Sequence, residues 1–114
     1  METKRQLDVL DRHLGGKDRG DKEREWICGD EYTIADMAVA PWIGALKTHY
    51  GEGKGAKFLG LDVGYPHVNR WYAAFLKRPA VKRGLLVNCF LAGQGIGIRE
   101  RHQKSDFAPE MYID

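Results

Sequence analysis

The segment Tyr32-Thr33-Ile34-Ala35-Asp36-Met37 constrains the fold more tightly than any other part of the chain. Thr33 has the chemistry of a helix N-cap, and Asp36 falls three residues later, at N3. The Thr33 hydroxyl is placed to accept from the N3 amide while the Asp36 carboxylate reaches back to the N-cap amide. This is a capping box with Asp in place of the commoner Glu. Tyr32 at N′ and Met37 at N4 have the spacing of a hydrophobic staple. The helix that follows, IADMAVAPWIGALKTHY, is apolar nearly all round, which predicts burial in a core rather than a place on a surface. Pro41 inside it removes one backbone hydrogen bond and predicts a bend near Met37–Val39.

Helical periodicity recurs on both sides of this segment. In residues 2–14, Leu7, Leu10 and Leu14 fall at i, i+3 and i+7, and Lys4, Arg5, Asp8, Asp11 and Arg12 lie between them. No capping residue precedes this helix, so the sequence predicts one that is cut off at its N-terminal side. Gly15-Gly16 stops it. In residues 66–77, Val68, Trp71, Tyr72, Phe75 and Leu76 give the clearest amphipathic pattern, with Pro66 at N1, where its missing N–H costs nothing. Arg78-Pro79 ends that helix, and residues 80–86 are predicted as one more short helix. Tyr50 to Gly55 reads as a glycine-rich loop, and Phe58, Leu59 and Leu61 as a short helix or turn packing back. After Val87 the periodicity dissolves. No segment alternates like a strand and no internal repeat occurs. The expectation is an all-α, right-handed bundle of about four or five helices. It assigns residues 1–90 to the helical domain and 91–114 to a flexible C-terminal tail.

Composition narrows the function classes. The chain has 114 residues, of which 43% are hydrophobic and 30% charged, enough for one globular domain and not for two. Eighteen basic against sixteen acidic residues leave +2, too weak a charge to suggest a nucleic-acid partner. No apolar run reaches the roughly 18–20 residues that cross a bilayer, so no membrane partner is expected. Lys17 to Glu25 holds eight charged residues in nine, four of each sign, which predicts a solvated loop that Trp26-Ile27 re-anchors to the core. Cys28 and Cys89 form neither a disulfide framework nor a metal spacing, and a reducing cytoplasm follows.

Few constellations survive a test for chemistry. His13, His49, His67 and His102 contain no i, i+4 pair and no cysteine neighbour at zinc-finger spacing, so no metal site is expected. GEGKG at 51–55 lacks the flanking strand and the GK[ST] ending of a phosphate loop, and GQGIG at 93–97 lacks the dinucleotide pattern. Lys77, Arg78, Lys82 and Arg83 put four cations in seven residues; they read as helix C-terminal charges or as contacts for an anion. Trp42 follows a helix-bending proline that can open a cleft, so it reads as core or as a ligand shelf. No nucleophile with a base and no acid/base pair can be assembled, so no catalytic residue is assigned.

The stretches GDEYTIADMAVAPWIGAL and YPHVNRWYAAFLKRPAVKRG together resemble the C-terminal helical domain of cytosolic glutathione transferases. The resemblance is greatest to the bacterial Nu-class, YghU-type enzymes and the related Ure2-like proteins. ETKRQLDVLDRHL at the start and SDF at 105–107 resemble the same group, so about residues 2–107 are covered. The resemblance implies an N-terminal thioredoxin-like domain that holds most of the glutathione site and is absent from this chain. The first helix of the C-terminal domain is also absent, as is the first half of the next. The thiol-stabilising Thr/Asn residues of Nu-type enzymes then lie outside the chain. The resemblance makes Thr33 and Asp36 the capping box that nucleates the central helix. It sets Trp42 at the edge of the hydrophobic substrate pocket and Lys82 and Arg83 near the second-substrate region. The charged insertion at 17–25, the GEGKG loop and the glycines at 93–97 depart from the family pattern.

The function implied is that of the helical half of a glutathione transferase or glutathione-dependent disulfide-bond reductase. It would supply the hydrophobic co-substrate side of the site without catalysis of its own. Glutathione would be the co-substrate of the intact, homodimeric, cytoplasmic protein and would not be held tightly by this half. The alternatives are a stand-alone protein-interaction module and a truncated gene product with no function of its own.

Overall fold

The structure, a computed structural model, describes residues 2–18, 20, 22–48 and 54–86. Helices α1 (Glu2–Leu14), α2 (Ile34–Thr48), α3 (Lys54–Leu59), α4 (Leu61–Gly64), α5 (Pro66–Lys77) and α6 (Pro79–Leu86) follow one another along the chain. No β-strand occurs among the described residues; a single bridge pairs Trp26 with Gly29. The fold is therefore all-α. The chain divides into two compact units, Met1–Phe75 and Leu76–Asp114. The predicted tail at 91–114 lies outside the described residues.

Six helices are described where the sequence suggested four or five, because residues 54–64 divide in two at Gly60. That glycine takes φ 69°, a left-handed conformation that ends α3 and turns the chain into α4. At the end of α1, Gly16 takes φ 73°. Gly16 N donates to His13 O at 3.1 Å and Lys17 N to Arg12 O at 2.9 Å, the paired bonds of a Schellman motif. The Gly15-Gly16 stop signal thus has a mechanical basis: only glycine adopts that φ without crowding a Cβ.

The core of the first unit is assembled from every helix it contains. Leu7 and Leu14 of α1, Ala40 and Ile43 of α2 and Ala56 and Leu59 of α3 are buried, as are Leu61, Tyr65, Val68, Trp71 and Phe75. Trp26 joins them from the turn before α2 and meets Tyr32 edge-on at 5.0 Å between ring centroids. Tyr32 also faces Phe75 at 6.4 Å. Tyr32 thus packs among aromatic rings, and Met37, its expected staple partner, is 51% exposed.

Asp36 is the buried polar centre of this unit, with no exposed surface. Its Oδ2 accepts from Thr33 N at 2.9 Å, the backward arm of a capping box. Its Oδ1 accepts from Ile27 N at 3.0 Å and from Trp71 Nε1 at 2.7 Å. The forward arm differs from expectation: Thr33 Oγ1 accepts from Ala35 N, at N2, at 3.3 Å. One carboxylate therefore joins the 26–29 turn, the start of α2 and the middle of α5.

A second carboxylate does the same between α1 and α5. Asp11 Oδ1 accepts from His67 N at 2.9 Å and Val68 N at 3.0 Å. Pro66 at N1 has no N–H to satisfy, so Asp11 answers the next two free amides and sets negative charge at the positive end of the helix dipole. Close approach matters where α2 meets α5. A Cβ on Gly44 would stand 2.5 Å from Tyr72 Oη, with the next Tyr72 atom at 3.5 Å.

The expectation that α2 is buried all round is not met. Asp36, Ala40 and Ile43 point inward, whereas Ile34 is 80% exposed and Trp42 69%. The reason is geometric. A helix buried on all sides needs neighbours on all sides, and the described part of the unit covers one face only, with α3 packed along it. The helix runs through Pro41 without a break, and Pro41 itself is exposed.

In the second unit, α6 begins on Pro79, again an N1 proline. Lys82 N donates to Arg78 O at 3.1 Å within its first turn. Val81 and Lys82 are half-buried, and Arg83, Gly84 and Leu85 are exposed.

Two stability predictions follow from these contacts. Asp36→Ala strands one buried and two part-buried donors and should cost about 2–4 kcal/mol, against about 0.5–1.5 kcal/mol for Thr33→Ala, which loses one capping bond. Urea midpoints of the two variants check the order; equal losses would contradict it. Gly44→Ala should destabilise by about 1 kcal/mol even though alanine is the better helix former, because Tyr72 must move. In a Tyr72→Phe background the same change should become neutral or stabilising, and thermal melts of the four proteins read the sign.

Candidate functional site

The surface between α1 and α2 opens into a groove of about 660 Å³. Its floor and walls are apolar: Leu10 from α1 faces Val39, Ile43 and Leu46 from α2, and Trp42 stands at its edge. Thr3 and Gln6 line it toward the start of α1, and His13, Asp18 and Ile27 line it toward the other end of that helix. A second depression of about 500 Å³ continues past Trp42 to Phe58 and Leu59. Lys4 Nζ lies 5.2 Å from the centre of the Phe58 ring, a cation over an aromatic face at an exposed site. The periodicity of α1 explains one wall of the groove. Leu14 turns into the core, and Leu7, buried, and Leu10, half-buried, both line the groove.

The charged groups around His13 answer one another. His13 Nδ1 lies 2.9 Å from Asp18 Oδ2, and its Nε2 lies 2.6 Å from the Ile27 carbonyl oxygen. Arg24 donates from Nη1 to Asp18 Oδ1 at 2.8 Å and also to the His13 carbonyl. Arg70 of α5 donates to the Arg24 carbonyl at 2.6 Å and pairs with Glu23 at 2.5 Å. The charged stretch at 17–25 is thus not simply solvated; its described residues tie α1 to α5, and His13 of α1 reaches the 26–29 turn. Arg5, which also lines the groove, pairs with Glu2 of its own helix.

Two of these partners hold the Asp18 carboxyl well below the usual carboxylate range: the Arg24 guanidinium first, then His13. Because the folded form ionises more readily than an ordinary Asp near 3.9, this contact contributes stability that is complete above about pH 4. It is lost as pH falls below that. Tyr65 shifts the other way. Burial pushes its phenol up, with the nearby Asp8 carboxylate adding to the effect.

The sequence-derived candidates separate in space. Trp42 borders the groove. Lys82 and Arg83 stand on α6 in the second unit, and every residue lining the groove belongs to the first. Thr33 and Asp36 make the contacts given above and do not line the groove. Cys28 is exposed, with its Sγ 3.4 Å from Thr33 Oγ1. Among the described residues, no three His, Cys, Asp or Glu side chains gather in a way that could hold a metal ion. No helix among them is long and apolar enough to cross a membrane. Sequence reasoning missed Asp11, Arg24 and Arg70, which show in the sequence only as polar residues.

Asp18→Asn should leave a protein whose unfolding midpoint falls less steeply between pH 4 and pH 2 than that of the parent. Parallel acid limbs in denaturant titrations of the two proteins would contradict the role given to this carboxylate.

Comparison with known proteins identifies the helical unit. The sequence profile described as the glutathione S-transferase C-terminal domain matches residues 2–74. The chain is 45% identical over 108 residues to the disulfide-bond oxidoreductase YghU of Escherichia coli, covering 94% of this chain and 34% of that protein. It is 42% identical over 88 residues to an uncharacterised GST-like protein of Streptococcus mutans, covering 77% of this chain and 30% of that protein. It is 35% identical over 86 residues to glutathione S-transferase 2 of Schizosaccharomyces pombe, covering 71% and 34%. The chain thus spans about a third of the length of these relatives. No solved structure gives a significant match. The matched residues run from α1 into α5 and include the Thr33–Asp36 helix start and both walls of the groove: the chain belongs to the glutathione S-transferase C-terminal domain family.

Proposed function

We propose that this chain is the helical half of a glutathione-dependent enzyme, a transferase or disulfide-bond reductase, and supplies the hydrophobic co-substrate side of its site. The observation that carries the reading is the apolar groove between α1 and α2 with Trp42 at its edge. Glutathione itself is a poor match for that groove. It is a charged tripeptide, whereas the walls are apolar and Arg5, His13 and Asp18 are engaged with neighbours of the same chain. In this reading glutathione is held mainly by a thioredoxin-like domain contributed by the rest of the protein, and residues 1–90 act as its helical counterpart without catalysis of their own. The open face of α2, with Ile34, Met37 and Trp42, is then the surface against which the rest of the protein packs. Trp42 contacts the apolar part of the second substrate, and Lys82 and Arg83 meet its anionic end. The intact enzyme works as a cytoplasmic homodimer. The names of two relatives, one an oxidoreductase of disulfide bonds and one a transferase, support the choice of chemistry.

A second reading has an observation of its own. Ile34, Met37, Trp42 and Phe58 are each more than half exposed, and apolar surface gathered in this way marks protein contacts. The same face would then dock another protein, and the chain would serve as an interaction module.

Ligand titration tests the first reading, and isolation of a complex tests the second. The 114-residue chain should give no heat with glutathione at millimolar concentration. It should bind an apolar fluorescent probe such as anilinonaphthalene sulfonate, with Trp42→Ala weakening that binding about tenfold through loss of about 1.4 kcal/mol of contact. Glutathione-dependent turnover by the chain alone, or probe binding indifferent to Trp42→Ala, would overturn the first reading. A defined heteromeric complex isolated at stoichiometric ratio would favour the second.

A further inference from the structure

We draw no further inference here: the strongest candidate, the apolar groove between α1 and α2 bordered by Trp42 and continued toward Phe58, belongs to the co-substrate site already proposed above, and nothing in the structure shows a second occupant.

Discussion

A carboxylate with no access to water holds the first unit together. Asp36 would be costly to bury alone, since a buried charge without partners gives up its hydration for nothing. It is kept there by three donors that converge from separate stretches of chain: the Thr33 amide, the Ile27 amide and the Trp71 indole. The indole is a donor only, so its own burial demands an acceptor as much as Asp36 demands a donor. Each group makes the other tolerable. The consequence is positional. The start of α2 is pinned to the middle of α5, the 26–29 turn is drawn under it, and Trp26, Tyr32 and Phe75 pack around the join.

That pinning decides which side of α2 is covered. With Asp36, Ala40 and Ile43 turned toward α5 and α3, the face bearing Ile34, Met37 and Trp42 is left open, and the groove lies along its flank. An apolar face on a helix this rich in alanine, valine and isoleucine is a packing surface by composition. Its exposure agrees with a chain that spans about a third of the length of its relatives. The family relationship rests on sequence likeness and the open face on burial, so the two observations are independent of each other.

Local signals in the sequence were read well because their physics is local. The Thr33–Asp36 spacing, Pro66 at N1 and the Gly15-Gly16 stop each concern residues within one turn of one another, and each has a counterpart in the structure. Partner choice across the chain was not legible. Asp11 shows in the sequence as one polar residue of an amphipathic helix, yet it caps α5 from 56 residues away. Arg24 sits in a charged stretch whose sign alternation predicts solvation, yet it binds a helix C-terminal carbonyl and a carboxylate together. Such roles depend on which helices become neighbours, and hydropathy patterns carry no record of that. The burial of α2 was misread for the same reason: an apolar helix states that it wants neighbours, not whether this chain supplies them. Trp42 stands out in the sequence through the proline beside it, whereas the groove that it borders requires the tertiary arrangement of α1 and α2.

The Trp71–Asp36 bond is the claim on which the arrangement stands, and the exchange of the tryptophan indole protons with solvent tests it most directly. The chain has three such protons, on Trp26, Trp42 and Trp71. Nitrogen–proton NMR spectra recorded after transfer to deuterated water should lose the Trp42 signal at once. The Trp71 signal should persist until the protein unfolds globally. A Trp71 indole proton that exchanges as quickly as that of Trp42 would contradict the buried bond, and with it the account of how α2 and α5 are joined.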